Sequence, residues 1–101
     1  MTAEPPEETS KIYKLRLFVT GSTPRSTRAI ENMRRICEEN LKGQYDLEVV
    51  DVYQNPDATR ELQIVATPTL VKILPEPLRR IIGDLSDQER VLAGLDLQPL
   101  A

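Results

Sequence analysis

An α/β domain is predicted by three features of this 101-residue chain. An alternating apolar run, "KIYKLRLFVT" (residues 11–20), leads into a helical apolar stripe, and a valine-rich run, "YDLEVVDVY" (residues 45–53), follows after a very short linker. Strand, helix and strand joined so tightly imply a parallel pair with a right-handed crossover, the helix covering one face of the sheet. The length suits one small domain, expected over residues 11–98 behind a Pro- and Glu-rich, disordered acidic tail at residues 1–10.

In the first strand Ile12, Lys14, Arg16 and Phe18 alternate with Tyr13, Leu15, Leu17 and Val19. Both sets become apolar toward its end, as in a central strand. In the turn "TGSTPRS", Ser22 and Thr23 are N-cap candidates, and Pro24 suits the first helical position, where no N–H is needed. Ala29, Ile30, Met33, Ile36, Cys37 and Leu41 then recur at helical spacing, with Arg34, Arg35, Glu38 and Glu39 on the other side. Lys42–Gly43 is the stop. After the valine-rich strand, "QNPDATREL" reads as a short helix capped by Asn55 and opened by Pro56, with Leu62 and Ile64 turned inward.

Each of the next three segments supports two assignments. "VATPTLVKIL" reads as a strand from Thr69 to Leu74 entered through Pro68, yet Thr67–Pro68 is also a helix start. "PLRRIIGDL" offers a strand around Arg80–Ile82 ended by Gly83–Asp84, but Leu78, Ile81, Ile82 and Leu85 also form a helical stripe. "SDQERVLAGLDL" opens with a capping box from Ser86 to Glu89 and should be helical. Its end alternates like a strand, and Gly94 costs a helix about 1 kcal/mol relative to alanine.

Composition excludes several kinds of chemistry. The chain has no histidine, which removes the usual general base and the commonest metal ligand. Cys37 is the single cysteine, so neither an internal disulfide nor a cysteine zinc cage can form within one chain. On the apolar stripe it reads as a small buried hydrophobe. The net charge of -3 comes from Glu4, Glu7 and Glu8, leaving a balanced domain with few aromatic residues and no sign of a nucleic-acid face. No run is long enough to span a membrane and no signal peptide is evident, so the cytoplasm is expected. "TGSTPRS" could greet an anion at a helix N-terminus, but it lacks the Gly-rich Lys-Ser/Thr signature, and capping accounts for its residues.

Taken together, "LFVTGSTPRSTRAIENMRRICEENLKGQYDLEVVDVYQNP" and "IVATPTLVKILPEPLRRIIGDLSDQERVLAGLDL" resemble the KaiB family of circadian-clock proteins over residues 12 to 97. The "ATPTL…LP…RRIIGDLS" block is the specific part. The resemblance implies a thioredoxin-like βαβαββα fold, with the bond before Pro68 cis. It also implies an alternative ground form, βαββααβ, in which the second half runs strand, helix, helix, strand. That ground form self-associates, typically as a tetramer, and the switched form is the monomer that binds partners. Gly94 and Asp96 match positions that help hold the ground form, so Pro68, Gly94 and Asp96 are the fold-switch candidates. Gly94→Ala, by raising helix propensity, is expected to favour the thioredoxin-like form.

Such proteins carry no catalytic residues and no cofactor. The resemblance implies docking on the N-terminal ATPase ring of a KaiC-type hexamer, in competition with a SasA-type kinase. The redox cysteine pair of thioredoxins is absent from "TGSTPRS", as suits a docking module. The candidate ring-facing residues are Gln54, Asn55, Pro56, Arg60 and Glu61, followed by Pro75, Pro77, Arg79 and Arg80. Two departures mark a divergent member. Asp46 and Glu48 stand on the second strand where clock-type members carry an alanine and a lysine, a charge inversion that disfavours KaiA at that edge. The chain also stops at "QPLA", without the tyrosine and acidic tail of clock-type members. A stress-linked adaptor of the same type and a redox protein are the alternatives.

Overall fold

A computed structural model describes residues 12–97. The acidic tail expected at residues 1–10 lies outside the described residues. Strands β1 (Tyr13–Val19), β2 (Tyr45–Asp51), β3 (Thr69–Leu74) and β4 (Arg79–Ile82) alternate with helices α1 (Pro24–Asn40), α2 (Pro56–Glu61) and α3 (Gln88–Gly94) in the order βαβαββα. The sheet order is β2-β1-β3-β4. β1 runs parallel to β2, from Tyr13 opposite Tyr45 to Val19 opposite Asp51. β3 is antiparallel to both β1 and β4.

The two faces of β1 separate the core into two layers. Tyr13, Leu15, Leu17 and Val19 join Leu70 and Ile81 beneath α1 and α3, which contribute Met33, Ile36, Cys37, Val91 and Leu95. Phe18, Val50 and Val71 face the other way, where Ala58, Leu62 and Ile64 cover them. The inward placement of Leu62 and Ile64 is therefore as expected. The buried side chains of α1 follow the stripe read from the sequence: Ala29, Met33, Ile36 and Cys37. Thr23 is the N-cap, its hydroxyl accepting from the Ser26 N–H, and Pro24 opens the helix.

The segments with two sequence readings resolve here as β3, β4 and α3. Ile81 is buried and Ile82 exposed, the two-residue period of a strand rather than a helical stripe. Leu85 lies beyond the strand at φ 64°, in the loop that leads to α3. The N-cap of α3 is Asp87, not Ser86, because the Asp87 carboxylate accepts from the Arg90 N–H at 3.2 Å. The Ser86 N–H instead goes to Asp84 Oδ1 at 3.1 Å, which closes the preceding turn and takes Ser86 out of the capping position.

The end of α3 is a Schellman motif. Asp96 adopts φ 59°, its N–H bonds Ala93 O at 3.2 Å, and the Leu97 N–H bonds Leu92 O at 2.9 Å. Leu97 is buried and Leu92 packs against the same cluster, the apolar contact that accompanies this cap. Gly94, the last residue of the helix, faces Ile81: a β-carbon there would meet Cδ1 at 2.6 Å and Cγ1 at 3.1 Å. The expected benefit of Gly94→Ala therefore meets an opposing contact in this arrangement.

The peptide bond before Pro68 is cis, as are those before Pro75 and Pro77. Pro68 is buried at the entrance to β3, and its carbonyl accepts from the Gly83 N–H at 2.9 Å.

Candidate docking surface

The short helix α2 lies alone on its face of the sheet and presents most of its length to solvent. Gln54, Asn55, Pro56, Arg60 and Glu61 are all exposed. Asn55 sits at the N-cap position but makes no capping bond with its side chain. Its Nδ2 donates to Asp51 O at 3.0 Å, anchoring the helix entry to the end of β2. Only the backbone carbonyl of Asn55 serves the helix, accepting from the Thr59 N–H and hydroxyl. The capping expectation is thus corrected: the amide can donate as well as accept, and the donor role wins. Arg60 pairs with Asp57 at 3.3 Å, both largely in water, where such a pair contributes little.

The far end of α2 is tied to the sheet by Arg80. Its guanidinium donates to Leu62 O at 2.7 Å and to Gln63 O at 3.4 Å, satisfying carbonyls left open where the helix stops. Arg79 and Arg80, named together as one candidate pair, are divided between the two faces of β4 because adjacent strand residues point oppositely. Arg80 joins α2, whereas Arg79 lies opposite Lys72 on the face of α1 and α3. Pro77 is exposed and Pro75 half-buried in the β3–β4 turn.

Beside α2 an open hollow of about 860 Å³ is lined by Val52, Tyr53, Pro56, Thr59, Ile64 and Val65, among others. Tyr53 is 77% and Val65 89% exposed, so two large apolar side chains flank the hollow in water. Neither was among the sequence candidates. The only signal was Tyr53, an aromatic placed just past the end of a strand.

The "TGSTPRS" turn is closed by hydroxyl groups. Thr23 Oγ1 donates to Ser26 Oγ at 2.9 Å, and the Thr20 N–H reaches the same oxygen at 3.2 Å. The Thr20 hydroxyl bonds that of Thr67, the residue before the cis proline. Cys37 stands apart from this turn, buried in α1. Burial, with Glu38 adding and Arg34 opposing, pushes its thiol from 9.0 up to about 12. A thiol so held is protonated and inaccessible at neutral pH, the reverse of a reactive cysteine.

Asp46 and Glu48 are exposed on β2, an edge strand. Glu48 Oε1 lies 3.4 Å from Arg16 Nε across the β1–β2 ladder, a contact without hydrogen-bond geometry. Among the described residues no group of three or more His, Cys, Asp or Glu could hold a metal ion, and no helix is long and apolar enough to cross a membrane.

A family model for the KaiB domain matches residues 16–97. The chain belongs to the KaiB family. The circadian clock oscillator protein KaiB of Synechococcus sp. (strain CC9311) is 60% identical over 87 residues, 86% of this chain and 73% of that protein. Its namesake in Microcystis aeruginosa (strain NIES-843 / IAM M-2473) is 55% identical over 87 residues, covering 86% and 84%. Among solved structures, the N-terminal domain of SasA from Synechococcus elongatus superposes with a TM-score of 0.72 at 26% identity, over 100% of this chain and 99% of that one. Fasciola hepatica thioredoxin gives a TM-score of 0.71 at 17% identity, over 91% and 86%. This KaiB-family chain therefore has the thioredoxin-like fold that the resemblance implied. Its KaiB relatives are named as clock oscillator proteins rather than as enzymes.

Proposed function

We propose that this chain is a non-enzymatic, clock-type regulator that docks on the N-terminal ATPase ring of a KaiC-type hexamer through the α2 face. The observation that carries the reading is the α2 surface itself. A helix held at its entry by Asn55 and at its exit by Arg80 presents Gln54, Pro56, Arg60 and Glu61 beside an exposed apolar hollow. Apolar side chains left in water beside a fixed polar rim are what a protein-binding face requires.

Likeness to the SasA sensor domain supports competition for one ring, because two partners of one fold can present the same face. Pro75, Pro77 and Arg80 extend the contact along the β3–β4 turn, with Arg79 on the opposite face. Asp46 and Glu48 put two carboxylates on the β2 edge, which disfavours KaiA there. The thioredoxin-like arrangement is the binding form. A self-associated ground form, reached by rearranging the chain from Pro68 through Asp96, is the other arrangement open to the chain. The working domain is residues 11–98, and the compartment is the cytoplasm.

Size-exclusion chromatography with light scattering tests this, on the chain alone and after long incubation with a KaiC-type ATPase and ATP. A free tetramer that yields ring-bound monomers slowly is the expected result. A free monomer that binds at once would retain docking and remove the ground form. No binding at all would overturn the reading in favour of an adaptor for another partner.

A further inference from the structure

Lys72 is the only charged residue among the buried described residues, with 1% of its surface exposed. It follows Leu70 by two positions on β3 and so points to the same face, the one covered by α1 and α3. Its strand neighbours there are Leu15 on β1 and Arg79 on β4. No carboxylate among the described residues stands within ion-pair distance of its ammonium. Two charges act on it from a distance: Asp96, in the turn that ends α3, attracts, and Arg79 repels. Burial is the largest effect and makes the ammonium easier to deprotonate than a lysine in water.

The helix above it has little stability of its own. α3 is seven residues long, too short to persist without tertiary contacts. It depends on seating Val91, Leu95 and Leu97 on the apolar face. One residue of that otherwise apolar seat is a lysine.

We infer that Lys72 is an electrostatic counterweight to α3: seating the last turn of the helix takes a charged side chain out of water without a counterion in contact, so α3 is held loosely by construction. A burial of this kind is tolerated when the long stem is covered by apolar neighbours while the charge strains toward water. Removing the charge while keeping the stem tightens the seat. Lys72 is then a side chain selected to keep a helix releasable rather than to hold it down. The inference concerns the arrangement described above and needs neither a partner nor the proposed ground form.

Amide hydrogen exchange on the full chain, read by mass spectrometry, tests it at neutral pH. Lys72→Met, which keeps the apolar stem and removes the charge, is expected to slow exchange across residues 88–97. Lys72→Arg, which keeps the charge, is expected not to slow it. Unchanged or faster exchange in Lys72→Met overturns the inference.

A second measurement uses the unaltered chain and so survives a failure of the variant to fold. Brief treatment with an amine-directed acetylating reagent is expected to modify Lys14 and Lys42 quickly, and Lys72 only as fast as α3 opens. Lys72 labelling at the rate of the other two would show that the side chain is in water, and the inference would fall. Neither experiment contains a KaiC-type ring, so its outcome is separate from that of the docking test.

Discussion

A β-carbon on Gly94 would stand 2.6 Å from Cδ1 of Ile81, so the last turn of α3 reaches β4 at a position without a side chain. Alanine at that position brings a helix gain of about 1 kcal/mol. Turning Ile81 aside opposes it by a similar amount, an off-rotamer side chain costing about 0.5–1.5 kcal/mol. The prediction is therefore a coupling. Gly94→Ala should stabilise the thioredoxin-like arrangement more in an Ile81→Val background, which lacks Cδ1, than in the native one. Urea denaturation of the four chains measures this, and strict additivity would refute the contact.

The Schellman turn that follows carries Asp96 at φ 59°, where glycine is the residue without steric cost. Asp96→Gly is expected to stabilise α3 by about 1 kcal/mol, the usual order for relieving a left-handed residue. Asp96→Val, β-branched and poorly suited to that region, should destabilise it. Thermal unfolding of both variants checks the sign, which must be opposite in the two.

Arg80 closes the end of α2 from a neighbouring strand. Arg80→Ala should cost about 0.5–1.5 kcal/mol, the net worth of a hydrogen bond whose carbonyls are free to rehydrate. Amide exchange should rise over residues 58–64, while Arg79→Ala, acting on the other face, should leave that segment unchanged. Exchange mass spectrometry separates the two arginines. Equal effects would mean that Arg80 is not the tie.

Cys37 makes stability alkali-sensitive. Its folded thiol titrates near 12 against 9.0 in the unfolded chain, so the folded state holds the proton longer. Its contribution is fully present below pH 9.0 and is lost as pH climbs from there toward about 12. Unfolding free energies measured between pH 8 and 10.5 should fall more steeply in the native chain than in Cys37→Ala. A thiol reagent should label Cys37 only in denaturant.

The first half of the fold was legible because its periods are long and unmixed. The stripe from Ala29 to Leu41 has one helical solution, and the alternation from Tyr13 to Val19 has one strand solution. The second half was not, because Leu78, Ile81, Ile82 and Leu85 satisfy two periods at once. What decides between them is the seating of Ile81 beneath α3 and the bend at Leu85, both tertiary. On the candidate surface, the inward turn of Leu62 and Ile64 was legible in "QNPDATREL". The side chain of Asn55 acted as a donor to Asp51 O, which spacing alone does not distinguish from a cap. Tyr53 and Val65 flank a hollow only because α2 stands between them, a relation that local sequence does not carry.

The strand order β2-β1-β3-β4 sets the sequence in which this chain can be taken apart. β3 is an inner strand, hydrogen-bonded to β1 on one side and to β4 on the other. It cannot be peeled from the margin while β4 remains. For β3 to be freed by itself, α3 and β4 would have to leave first, since otherwise it could part from β1 only with β4 still attached. The parallel pair β1–β2 and the helix between them can stay assembled throughout. A change of partner strand by β3 alone would therefore be directional, waiting on the departure of the outermost elements.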